Sequence, residues 1–135
     1  MAKAKNMLSL PNDDASDDKL WKNAIRRAFS RSKLRKRAGE KAKSDTIFGP
    51  KGGARWICTE CGEPFPPTQC EVDHDDPVTP VDVEAKDQSV EDYYDRVRCD
   101  ESNLRVLCKE CHRAKSKAEN AERRRIKKEK KDEKK

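Results

Sequence analysis

Asn103-Leu104-Arg105-Val106-Leu107-Cys108-Lys109-Glu110-Cys111-His112-Arg113-Ala114-Lys115 decides the fold. Leu104, Val106 and Leu107 are a short apolar run, which predicts a strand. The run leads into a Cys-x-x-Cys pair with a histidine directly behind it. Two thiolates on one tight turn are half of a four-coordinate zinc site, so the stretch calls for a second pair elsewhere. Cys58-Thr59-Glu60-Cys61-Gly62 supplies it, with Arg55-Trp56-Ile57 as a short strand leading in. Cys58, Cys61, Cys108 and Cys111 are therefore the predicted ligands of a closed, structural Zn²⁺. Disulfides would need an oxidising compartment, and the Met-Ala-Lys-Ala-Lys start lacks the apolar core of a secretory signal. A redox role for the pairs would account neither for their matching nor for the histidines. Cys70 and Cys99 read as buried small residues rather than ligands.

Composition makes such a staple necessary. The chain has 135 residues, 43% of them charged and only 33% hydrophobic. That is too little apolar material for a single core over the whole length. Zinc closing two distant pairs joins the halves of the chain, and its binding free energy becomes folding free energy.

The net charge of +6 conceals a pattern. Residues 19–43 carry eleven Lys/Arg against one Glu, and residues 113–135 carry twelve against five acids. Residues 44–112 carry seven bases against sixteen acids. Basic arms suit a polyanion such as DNA or RNA. An acidic centre repels phosphate unless its carboxylates hold a cation. The competing reading, ordinary solvated surface, is the one taken for the last ten residues.

Outward from the motif, residues 1–16 read as a flexible arm. A basic amphipathic helix is expected over 17–38, capped by Ser16 or Asp17 and ended by Gly39. Leu20, Trp21, Ala24, Ile25, Ala28 and Phe29 form its apolar stripe. Arg26, Arg27 and Arg31 on its other face are candidate phosphate contacts, although a basic face also suits a packing helix with a soluble exterior. Residues 39–54, with Gly49-Pro50-Lys51-Gly52-Gly53, read as a linker. Gly62 suits the positive φ of a zinc turn. Gln69–His74 reads as a strand with Cys70 and Val72 on one side. Residues 75–101 form an acidic insertion, in which Ser89 caps a helix with Val90, Tyr93, Tyr94 and Val97 on one face, and Val97-Arg98-Cys99 opens the return strand. From about Glu110 a basic helix runs on, and residues 117–135 form a helical or disordered tail.

The only two histidines are His74, behind Asp73, and His112, behind Cys111. The zinc pairs join the segments that carry them. An Asp and a His can hold a divalent cation while the second His acts as a base.

Val72-Asp73-His74, followed by Asn103 to His112 and Lys115, resembles the HNH nuclease motif. Cys58-x-x-Cys61 resembles the zinc-bearing branch of that family, and the resemblance covers residues 55–116. It implies an α+β fold: a small ββα-metal, treble-clef-like domain with a four-cysteine zinc, flanked by the basic helix and the basic tail. By position it implies His74 as general base, Asp73 and His112 as ligands of a catalytic Mg²⁺, Mn²⁺ or Ni²⁺, and Asn103 as the residue that holds the hairpin loop and orients His74. The implied reaction is hydrolysis of DNA phosphodiester bonds to 5′-phosphate and 3′-hydroxyl ends. Arg113 and Lys115 would meet flanking phosphates. Two features depart from the motif: Asp75 and Asp76 stand where an apolar residue is more common, and the insertion is long.

The sequence thus supports a metal-dependent endonuclease with mostly non-specific, phosphate-backbone DNA contacts. The alternative is a non-catalytic zinc module that binds nucleic acid or protein, which has no need to keep Asp73, His74 and His112 together. Chains of this size with this motif resemble phage or mobile-element proteins. That resemblance implies a host-cytoplasmic monomer or weak dimer, without a membrane segment, and a packaging or replication protein as partner.

Overall fold

The computed structural model describes residues 15–134. The arm expected over 1–16 lies outside them except for its last two residues, and the tail's last residue, 135, lies outside them too. The architecture is α+β, with four α-helices and two small antiparallel sheets among the described residues.

The N-terminal basic segment is two helices rather than one. Helix α1 spans Ala15–Ser30 and α2 spans Lys33–Ala42. The break falls at Arg31-Ser32 because Ser32 is a helix start: its hydroxyl accepts the Arg35 N–H at 3.2 Å and donates to the Phe29 carbonyl at 2.7 Å. Gly39 does not end a helix. It lies buried inside α2, where an added Cβ would stand 2.5 Å from Cζ2 of Trp56. The stripe expected on α1 is narrower than the sequence suggests. Phe29 is buried and Ile25 packs beside it, but Leu20, Trp21 and Ala28 are exposed.

The expected linker is a hairpin. Strand β1 (Lys43–Phe48) pairs antiparallel with β2 (Ala54–Ile57) across the Gly49–Gly53 turn, in which Gly52 has φ of 79°. The two-residue strand β3 (Pro64–Phe65) pairs with β2 after the first cysteine turn. Strand β4 (Cys70–His74) then pairs with β5 (Leu104–Cys108), in register from Cys70 opposite Cys108 to His74 opposite Leu104.

Between β4 and β5 the acidic insertion carries α3 (Val90–Val97), capped by the Ser89 hydroxyl as the sequence predicts. The return strand does not open at Val97. That residue closes α3 and is buried, and β5 begins only at Leu104, after a turn capped by Asp100. Helix α4 (Lys109–Glu133) continues through most of the basic tail.

Two small cores result. Phe29, Val78 and Val97 join Ile25, Leu34, Val72, Tyr93 and Leu104 under the helices. Leu107 packs with Phe65 against the cysteines. Leu104 and Leu107 have opposite parity on β5, so they serve opposite faces of the pair.

Candidate functional site

The two cysteine turns meet where β2 and β5 end. The Sγ atoms of Cys58, Cys61, Cys108 and Cys111 lie within 4.8 Å of one another. A tetrahedral zinc with ~2.3 Å bonds needs sulfurs about 3.8 Å apart, so the cluster suggests a zinc site with the ligands expected from the sequence. Each turn is built alike: the Cys61 N–H points to Cys58 Sγ and the Cys111 N–H to Cys108 Sγ, both at 3.5 Å. Gly62 takes φ of 74° and donates to the Cys58 carbonyl at 2.9 Å. Burial pushes the Cys58 thiol up, but backbone N–H donors from Cys61, Cys108 and Glu60 outweigh it and bring the group down to about 6. Its neighbour Cys111 is pushed up to about 12, chiefly by Cys108. Four close thiols cannot all ionise without a cation, and a zinc ion would remove that conflict. Cys70 is buried beside the cluster and pushed up to about 11 by that burial, as suits a packing residue.

Adjacent residues on a strand point to opposite faces. On β4 that rule sends His74 toward α1 and Asp73 toward α4. The His74 ring is 4% exposed and packs on Phe29 with centroids 4.9 Å apart. Its Nε2 lies 3.0 Å from the Val97 carbonyl. That acceptor requires a proton on Nε2 and leaves Nδ1 free as an acceptor in the neutral ring. Burial holds the imidazole below its ordinary range and so keeps it neutral, although the Val97 bond opposes this.

On the other face, Asp73 Oδ1 is 3.5 Å from His112 Nε2 and Oδ2 is 2.9 Å from Lys115 Nζ. Oδ2 is buried and receives no aligned hydrogen bond, despite the nearby ammonium. Lys115 also reaches Glu119 at 2.5 Å and the His74 carbonyl at 3.2 Å. It is an internal tie rather than the open phosphate contact expected. Asp73 and His112 are two ligand-type groups; among the described residues only the cysteines offer three or more together. A Mg²⁺-like ion keeps several waters and needs one or two protein ligands; Asp73 Oδ1 and His112 Nε2 are such a pair, while Oδ2 faces the Lys115 ammonium.

Asn103 lies directly before β5, against the loop that follows β4. Its Oδ1 accepts the Asp76 N–H at 2.8 Å, its Nδ2 donates to the Asp76 carbonyl at 3.3 Å, and its own carbonyl takes the Asp75 N–H at 2.8 Å. It therefore ties the loop that leaves His74. Asp75 and Asp76, which depart from the motif, are paired loop charges: Asp75 lies 3.2 Å from Arg105 and Asp76 3.5 Å from Arg96.

Asp73, His74 and His112 line one cavity of about 370 Å³. Arg26 lines it too, whereas Arg27, Arg31 and Arg113 are exposed and outside it. Sequence reasoning missed Arg123, which lies on the same wall. Its only sequence signal is the Arg123-Arg124-Arg125 run, read as part of the helical or disordered basic tail over 117–135.

Compared with protein-family models, curated proteins and solved structures, the chain matches none. No helix among the described residues is long and apolar enough to cross a membrane.

Proposed function

We propose that the chain is a metal-dependent DNA endonuclease of HNH type, with β4, β5 and the start of α4 as its ββα-metal unit. The observation that carries this reading is that one cavity is lined both by the Asp73–His112 pair and by the buried His74, which lies on the other face of β4 and is tied through Nε2 to a carbonyl. A divalent ion held by Asp73 and His112 would neutralise charge on the scissile phosphate and the leaving oxygen. His74 Nδ1 accepts a proton from the attacking water as the new P–O bond forms. The P–O3′ bond breaks, and the 3′ oxygen takes a proton from solvent. Phe29 and the Val97 carbonyl fix the ring for this step, and Asn103 fixes the loop behind it. Arg27, Arg31 and Arg113 supply exposed charge for non-specific phosphate contacts.

The second reading, a non-catalytic zinc-bearing nucleic-acid module, draws on Lys115, whose ammonium already neutralises Asp73. Nicking of supercoiled plasmid by zinc-loaded protein separates the two. The assay is run with EDTA, Mg²⁺, Mn²⁺ or Ni²⁺, and with His74→Ala and Asp73→Ala in parallel. Metal-dependent cleavage that both variants lose is the expected result. DNA binding with no cleavage under any metal would replace the nuclease by the module.

A further inference from the structure

The geometry points to Arg26 of α1 and Arg123 of α4 as a two-sided clamp on the phosphate that is cut, an inference that rests on the nuclease reading and adds its substrate-holding residues. Both side chains line the cavity that holds Asp73, His74 and His112. They come from opposite ends of the chain and from opposite faces of β4: Arg26 from the helix packed on His74, Arg123 from the helix packed on Asp73. Neither has a carboxylate within ion-pairing distance among the described residues, although most cations near the insertion do. The Arg123 Nη2 donates to the Thr79 carbonyl at 2.5 Å, which fixes the fork, while its Nε is buried without an acceptor. A buried guanidinium donor left unpaired is costly, and a phosphate oxygen is the ligand its planar fork suits best.

Arg26 is held from one turn earlier. The Lys22 ammonium donates to the Ala85 and Gln88 carbonyls at 2.9 and 2.7 Å and lies 5.8 Å from the centre of the Tyr93 ring. These bonds seat α1 on the insertion, and Arg26, one turn on, is among the residues lining the cavity. The insertion thereby holds the helix that supplies one jaw. Charge developing on the transferred phosphoryl group would meet a guanidinium on either side, an arrangement that favours the transition state over the bound substrate.

The test compares Arg26→Gln, Arg123→Gln and Arg123→Lys with Lys36→Gln, an exposed charge on α2 outside the cavity. All are zinc-loaded full chains with melting temperatures recorded. Single-turnover cleavage of a short duplex with Mg²⁺ is read beside its equilibrium binding without Mg²⁺. Each Gln variant should slow cleavage about 100-fold, the low end for losing one transition-state donor. Its affinity should change no more than that of Lys36→Gln. Arg123→Lys, which keeps the charge but not the fork, should remain slow, and guanidinium ion should restore part of the rate to Arg26→Ala. Rates matching Lys36→Gln, or losses that follow melting temperature without guanidinium rescue, overturn the clamp. If the wild type cuts nothing, the nuclease reading fails by itself and binding decides: affinity equal to Lys36→Gln removes the clamp, and a loss beyond it keeps both arginines as phosphate ligands.

Discussion

Replacing Gly39 by alanine should destabilise this protein, against the usual rule for helices. Inside an exposed helix the change gains about 1 kcal/mol, because glycine loses more backbone freedom on folding. Gly39, however, is buried in α2 with its would-be Cβ 2.5, 2.6 and 3.3 Å from Cζ2, Cη2 and Cε2 of Trp56. Carbon atoms rest about 3.5–4.0 Å apart, so the indole must move by about 1 Å. Overpacking of that kind costs about 1–3 kcal/mol. The net expectation is a loss of about 1 kcal/mol, or roughly 4 °C in melting temperature for a chain of this size. Phenylalanine at 56 lacks the indole's second ring, which carries the contacting atoms. In a Trp56→Phe background, Gly39→Ala should therefore be neutral or stabilising by up to about 1 kcal/mol. Urea unfolding of zinc-loaded protein followed by far-ultraviolet circular dichroism measures all four corners of the cycle without relying on tryptophan. A stabilised Gly39→Ala in the wild-type background, or the same shift in both backgrounds, would refute the contact. The reach of the result extends to the metal cluster, since Trp56 lies on β2, two residues before Cys58.

Zinc removal should unfold the β2–β3 region, because only Leu107 and Phe65 among the described large hydrophobes pack on the cysteines, whereas structural zinc contributes about 10–16 kcal/mol in small domains. In Trp21→Phe protein, where Trp56 is the sole tryptophan, chelation should shift the emission to the red, and Cys58→Ser should do so without a chelator. Unshifted emission from protein shown to be metal-free would count against a structural zinc. Asn103→Ala should lose both side-chain bonds to Asp76, a cost of about 1 kcal/mol because the freed groups can reach water. Zinc content should stay unchanged while cleavage falls, and full activity in a destabilised Asn103→Ala would remove the loop from the positioning of His74.

What was legible in the sequence was local. Cysteine spacing announced both zinc turns, Ser89 announced α3, and the strands bearing Asp73 and Cys108 carried their own apolar runs. The misses share one cause: each needed a partner distant in the chain. Gly39 has the signature of a helix stop, and only its approach to Trp56 explains it as an interior residue. Ser32 competed with a stripe that runs on toward Leu34, and the cap prevailed. Lys43–Phe48 is too polar to read as a strand until β2 lies beside it. Lys115 looked like a free cation at a helix start because Glu119 lies one turn on and Asp73 is far back in sequence. That Asp73, His74 and His112 line one cavity was foreseeable because the zinc pairs join the segments that carry them. The arginines above it were not, since one arginine in a basic run resembles the next.

The charge pattern that first suggested a polyanion partner serves two purposes in the fold. Lys22, Arg123 and Lys130 do not neutralise the insertion's carboxylates; they donate to its backbone carbonyls at Ala85, Gln88, Thr79 and Asp82. Bonds to carbonyls fix direction as well as distance and depend less on salt than exposed ion pairs do. The insertion is thus seated in part by geometry, and Asp82, Asp87, Glu91, Asp95 and Asp100 have no ion pair among the described residues. Arg27, Arg31 and Arg113 have no ion pair among the described residues and remain available to phosphate. Under the proposed reading, this division lets duplex DNA approach along the arms and be turned away from the insertion. Only the cavity, where two arginines and a metal would offset Asp73, Glu71 and Glu119, then accepts a phosphate within the acidic centre. A basic arm that served only affinity would not need its lysines and arginines committed to carbonyls. Those bonds tie the ends of the chain to the site in its middle.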